Sequence, residues 1–113
     1  MAGQLARVNF LRSEPAGASS SASRFFVSDS NRNLYILNRA SRTFTTYLNF
    51  EDAFPRFDNT PGFSAGLVTL AFAPDYAANG TFFTVHLEDP NKSSSAVPVN
   101  TSVPGFDLSA TGC

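Results

Sequence analysis

The chain has 113 residues, enough for one domain at most, and a formal net charge of −1 with 15% charged residues leaves no basic footprint for nucleic acid and no polybasic stretch for a membrane surface. No apolar run approaches the roughly 18–20 residues of a spanning helix. The single cysteine, Cys113, has no partner for an intramolecular disulfide, and its Ser/Thr/Gly-rich surroundings offer no electropositive setting for a reactive thiol.

No basic segment leads into an apolar core at the N-terminus, and Arg7 and Asn9 interrupt the only candidate, so no secretory leader is expected in these residues. Residues 6–11 read as an extended strand. The stretch that follows at 13–23, SEPAGASSSAS, reads as a loop. Its looseness predicts that the first strand pairs away from its sequence neighbour and packs poorly. Residues 24–29 (RFFVSD) and 34–37 (LYIL) are apolar strands joined by an Asx-rich turn. From 43 to 50 the chain alternates, placing Phe44, Thr46, Leu48 and Phe50 on one face and Thr43, Thr45, Tyr47 and Asn49 on the other. Residues 51–64 carry Pro55, Pro61 and Gly62 among Phe54, Phe57 and Phe63, the pattern of a long ordered connection pinned by aromatics.

Gly66 then leads into the apolar run 67–72, and Ala73-Pro74-Asp75 forces the chain out of the sheet. Asn79-Gly80, a dipeptide suited to a turn with φ > 0 at both central residues, feeds the alternating run 81–87. The two runs are predicted to pair antiparallel, with 73–80 at the surface. Residues 91–113, with a serine triplet, Pro98, Pro104 and Gly105, read as a loop or tail with a short strand near 97–99. No window shows the i, i+3, i+4, i+7 spacing of an amphipathic helix. The fold class is therefore all-β with helix confined to short turns, and the 12 phenylalanines suit pleated surfaces.

Candidate chemistry is sparse. Asp29, Asn31 and Asn33 fit the opening of a calcium loop, where hard oxygens on alternate residues converge on one cation, but Leu34 and Ala40 stand where such a loop needs glycine and glutamate. Asx hydrogen bonds within a turn explain the same residues and are the preferred reading. His86, the only histidine, is the default general base, yet no Ser, Cys or second His accompanies it and Glu88 is spaced to hydrogen-bond it. A structural role is the simpler expectation. Asp75 reads as a turn residue whose side chain accepts backbone N–H groups after Pro74. Glu88 and Asp89, adjacent at a strand end, diverge and cannot act as a paired acid and base. The sequons at Asn79, Asn91 and Asn100 are expected by chance in a chain rich in Asn, Ser and Thr. No catalytic, cofactor-binding or metal-ligating residue is assigned.

The phrase at 66–90, GLVTLAFAPDYAANGTFFTVHLEDP, resembles the repeating blade unit of the glucose/sorbosone dehydrogenase family, six-bladed β-propellers that use pyrroloquinoline quinone. Residues 5–15, 24–29, 34–37 and 44–48 look like the N-terminal region of sorbosone dehydrogenase-like proteins, so the resemblance covers nearly the whole chain. It implies a single partial propeller domain over 1–113, an antiparallel meander of about one four-stranded blade plus part of the next, because a full ring needs roughly three to four times as many residues. It also implies a periplasmic or secreted parent that oxidises a sugar alcohol or aldose, passing a hydride to the quinone with calcium aiding the cofactor. In that alignment the hydride-abstracting histidine falls beyond Cys113. The glutamine that some sugar dehydrogenases carry before the inner strand is absent from Phe63-Ser64-Ala65-Gly66, so no site residue is carried over and this stretch alone is expected to be inactive. The competing expectation is a non-catalytic propeller used for binding or scaffolding, since fold alone does not imply chemistry.

Overall fold

Among the described residues, six strands and two single-turn helices follow one another as β1 (Val8–Ser13), β2 (Arg24–Asp29), β3 (Asn33–Asn38), β4 (Phe44–Asn49), α1 (Phe50–Ala53), β5 (Leu67–Phe72), α2 (Tyr76–Asn79) and β6 (Phe82–His86). The computed structural model describes residues 5–17, 23–61, 65–89 and 92. The expectations for Phe63, Ser64, the strand near 97–99, the rest of the 91–113 tail and Cys113 therefore lie outside the described residues, Lys92 excepted. The protein is mostly β: a four-stranded antiparallel sheet in the order β1-β2-β3-β4 and a two-stranded antiparallel sheet, β5-β6.

The two sheets meet through aromatic and aliphatic side chains. Phe26, Leu34, Ile36, Phe50, Phe57, Leu67 and Leu70 form the buried cluster, with Phe10, Leu48, Phe54, Phe72 and Phe82 packed against it. Phe26, fully buried on β2, is the centre: its ring lies edge-on to Phe72 at 5.1 Å and close to Phe82 at 5.7 Å, both from the second sheet. Such edge-to-face pairs add about 0.5–1.5 kcal/mol to the burial of each ring. Alternation carries the opposite residues outward, so Phe83 and Val85 on β6 and Leu11 and Phe44 on the first sheet remain exposed.

Strand β1 pairs antiparallel with β2, its sequence neighbour, correcting the expectation that the serine-rich stretch prevents this. The physical reason is that closure entropy grows only slowly with loop length, while the loop ends are tied by the Glu14 N–H donating to the Arg24 carbonyl at 3.0 Å. The expected poor packing is partly present, since Phe10 is the one strand residue not exposed. A bulge at Asn9 turns its side chain toward β5, where its amide donates to the Leu67 and Val68 carbonyls at 2.8 and 3.2 Å. Its carbonyl oxygen accepts the hydroxyl of the fully buried Ser28 at 2.6 Å.

A second bulge corrects the alternation read across β4. Leu34 pairs with Leu48 but Tyr35 pairs with Thr46, leaving Tyr47 as the extra residue. Leu48 packs on the core and Tyr47 reaches Phe26 at 5.6 Å, while Phe44 lies opposite Leu37 on the other side of the sheet and meets Tyr35 at 6.2 Å. The strand runs straight into α1, where the Asn49 side chain accepts the Glu51 and Asp52 N–H groups at 3.0 and 3.4 Å and caps the turn. That turn buries Phe50, and the connection beyond it buries Phe57.

Strands β5 and β6 pair antiparallel as the sequence predicts, with Leu67 opposite His86 and Phe72 opposite Phe82. Asn79-Gly80 does not form a two-residue turn with both φ positive. Asn79 is the last residue of α2, and Gly80 alone is left-handed at φ 70°, its N–H donating to the Tyr76 carbonyl at 2.7 Å. Glycine caps a helix C-terminus here because it takes this conformation without a Cβ clash. Asp75 also differs from expectation: its side chain accepts the Asn79 amide at 2.7 Å and no backbone N–H, while its carbonyl accepts from Ala78 at 2.9 Å.

Candidate functional site

Three polar clusters stand out, and two of them hold residues that sequence reading singles out. The first is the β2–β3 turn. Asp29, 3% exposed, accepts the backbone N–H groups of Arg7 at 2.8 Å and Asn31 at 2.9 Å through one oxygen, the second of these being the expected Asx bond. The Arg7 guanidinium then enters the turn, donating to the Asn31 side-chain oxygen at 2.6 Å and to the Asn59 carbonyl at 2.9 Å. Asn59 closes the ring by donating to the Asn31 carbonyl at 2.7 Å. Asp29 Oδ1 and the Asn31 side-chain oxygen, two of the oxygens a calcium ion would need, are thus engaged by N–H donors and a guanidinium, as in a closed Asx turn. Among the described residues no three of His, Cys, Asp and Glu gather into a metal site.

The second cluster surrounds His86. Its Nε2 lies 3.1 Å from Glu88 Oε1, the contact expected from their spacing. Its ring sits in a cage of Phe54 at 4.4 Å, Phe50 at 5.4 Å and Phe57 at 6.0 Å. α1 and the connection after it supply all three rings, so one short segment both fills the core and fixes the imidazole. Glu88 is bridged to Phe57 through the backbone, and Asp89 donates its N–H to the Arg56 carbonyl at 2.8 Å, holding this strand end in place. The imidazole thus serves the packing of this strand end, stacked among three rings and held by Glu88.

Sequence reading passed over the third cluster. Glu14, at the end of β1, receives both the Nε and a terminal nitrogen of Arg24 at 2.7 and 2.5 Å, a bidentate pair, and its carboxylate also accepts the Tyr76 hydroxyl at 2.8 Å. The glutamate side chain is 5% exposed. The hydrogen bond to Glu14 holds the Arg24 guanidinium above its ordinary value. With Tyr47 and Asn79 these groups line a polar cleft of about 380 Å³ between the first sheet and α2. The one available signal is an arginine directly before Phe25-Phe26, since a charge entering a buried strand requires a partner.

The cluster gives a pH prediction. Burial first, then the hydrogen bond to Glu14, pushes the Tyr76 phenol up to about 12 from its ordinary 10.0. A phenol whose folded value exceeds its unfolded value stabilises fully below the unfolded value, and this contribution disappears as pH rises through the folded one. Urea midpoints of the native chain are therefore expected to fall between about pH 10 and 12, more steeply than those of Tyr76→Phe. Parallel curves for the two proteins in that window contradict the assignment.

Each cluster ties distant segments together: the first holds residues 5–7 to the β2–β3 turn, the second holds β6 to α1, and the third holds α2 to the first sheet. Chemically they are clamps, with donors matched to acceptors. Comparison of the chain with family models, with curated proteins and with solved structures finds no match.

Proposed function

We propose that the chain is a packing unit of a β-propeller, one four-stranded sheet with the opening hairpin of the next, whose part is to seat sheet upon sheet. In a glucose/sorbosone-type, quinone-dependent dehydrogenase of the kind its phrases resemble, this unit contributes wall and the sugar chemistry belongs to other parts of the ring. In a non-catalytic propeller the same unit serves binding or scaffolding. Its role is the same in both.

The carrying observation is the outer face of β5-β6. Its inner face already rests on the first sheet through Phe72 and Phe82, while Phe83 and Val85 on the opposite face remain 62% and 55% exposed. Among the described residues β5-β6 has two strands where the first sheet has four, and its outer face carries no further layer. A further antiparallel sheet layer is the occupant that suits it, because such a layer covers the inner face within this chain. Exposed apolar faces beside open strand edges drive association. Sedimentation of the isolated chain is therefore expected to show oligomers that grow with concentration, whereas Phe83→Ser/Val85→Ser remains monomeric with an unchanged circular dichroism spectrum. A native chain that stays monomeric at all concentrations would overturn the proposal.

A further inference from the structure

The outer face of the four-stranded sheet holds a cleft unrelated to the clamps and to the β5-β6 face. Phe25 pairs with Leu37 and Leu37 with Phe44, so these three stand in one row across β2, β3 and β4. They point away from Phe26 and Ile36, and Phe44 is 60% exposed. The Arg39 guanidinium lies 4.9 Å from the centre of the Phe25 ring and donates to the Ser23 hydroxyl at 3.0 Å. With Asn38 and Arg42 these residues border a cleft of about 350 Å³.

Two independent features indicate what the cleft accepts. The first is charge: two arginines and no carboxylate residue are among the described residues that border it, and the Arg42 guanidinium has no hydrogen bond or ion pair among the described residues. The second is backbone strain. Arg42 has φ 57° and is the only non-glycine with positive φ among the described residues. It closes the β3–β4 turn, its N–H donating to the Asn38 carbonyl at 2.9 Å while the Asn38 side chain accepts from Ala40 at 2.9 Å and Ser41 at 3.0 Å. Turns of this kind favour glycine at the left-handed position, so a long cation held there is the kind of backbone outlier from which a function is inferred.

We propose that the cleft binds an aromatic carboxylate, its rings flat against Phe44, Leu37 and Phe25 and its carboxylate taken by Arg42 with Arg39. Neighbouring strands lie about 4.8 Å apart, so a row three strands wide offers a platform roughly 10 Å long, the length of a two-ring system. A guanidinium beside an aromatic face presents its donors in the fork that matches a carboxylate. The volume is within the range of small-molecule sites. The inference is independent of the propeller reading and competes with it on this side, because in a closed ring a preceding blade would cover the Phe25, Leu37 and Phe44 row.

The test is titration of the purified chain with 2-naphthoate, followed by the ligand's own fluorescence, which the protein does not obscure because it has no tryptophan. Saturable binding at one site is expected, weakened about tenfold for 2-naphthamide, which keeps the rings but loses the charge. Arg42→Gly is expected to weaken naphthoate by about the same factor while leaving the thermal midpoint unchanged or higher, since glycine relieves the strained backbone. Phe83→Ser/Val85→Ser should bind as the native chain does. The proposal is overturned if naphthoate shows no saturation, if acid and amide bind equally, if Arg42→Gly retains native affinity, or if the β6 variant loses binding.

Discussion

Gly66→Ala is expected to remove a large part of the stability of the fold, about 3 kcal/mol or more, read as the shift of the urea midpoint. Gly66 is buried at the start of β5 with φ 109°, and a Cβ placed on it would lie 1.8 Å from the carbonyl oxygen of Ser30. Backbone, unlike the far end of a flexible side chain, cannot swing aside. Ser30 is held by its own N–H donating to the Arg7 carbonyl at 3.0 Å, and its carbonyl lies within the turn gripped by Asp29 and the Arg7 guanidinium. A methyl group at 66 must therefore push the second sheet off the first or break that turn. Gly80→Ala is the control: φ is 70° there as well, but nothing lies within 4 Å of the added carbon. The expected loss at Gly80 is about 1 kcal/mol, the backbone penalty alone. Equal losses at the two glycines would show that the approach of β5 to Ser30 is not as tight as described.

Phe26→Ala is expected to destabilise by about 3–5 kcal/mol, against a total of roughly 5–15 kcal/mol for a domain of ordinary stability. Phe26 has no exposed surface and its ring touches Tyr47 on its own sheet and Phe72 and Phe82 on the other. Its removal leaves a cavity at the junction of the sheets, which the pleated backbone on either side cannot collapse to fill. Phe83→Ala on the outward side of β6 is the comparison, with less than about 0.5 kcal/mol lost from the monomer. Because the Arg24 guanidinium also lies over the Phe26 ring at 5.9 Å, loosening of the Glu14 clamp should accompany the core mutation. Tyr76 would then titrate nearer its ordinary value of 10.0, a spectroscopic change that a merely smaller core would not produce. A midpoint shift below about 1 kcal/mol would mean that β5-β6 is not seated on Phe26.

The polar groups divide along similar lines. The turn at 29–33 and the pairing of His86 with Glu88 are written in residues two apart, where side-chain reach alone settles the contact. Arg7 entering that turn, Tyr76 meeting Glu14 and Arg42 bordering an apolar row join residues or faces whose relation the local sequence does not state. A hairpin turn written Asn-Arg-Ala-Ser-Arg-Thr, with no glycine where one is favoured, is the one local sign that Arg42 stands in an unusual backbone state.

By itself the sequence determined the strands, the antiparallel pairing of β5 with β6, the Asx turn after β2 and the aromatic character of the 51–61 connection. Periodicity and turn chemistry are short-range properties, and each of these elements is set within a few residues of its own signal. Only the tertiary structure decided that β1 joins β2 across its serine-rich loop, that a bulge at Tyr47 sends Phe44 outward and Leu48 inward, and that Asn79-Gly80 ends a helix instead of turning a hairpin. The reason is common to all three. Each depends on which face another segment covers: the half-exposed Tyr47 ring lies edge-on to Phe26, Glu14 binds Tyr76 from across the molecule, and the close approach of Gly66 to Ser30 fixes where the second sheet lies.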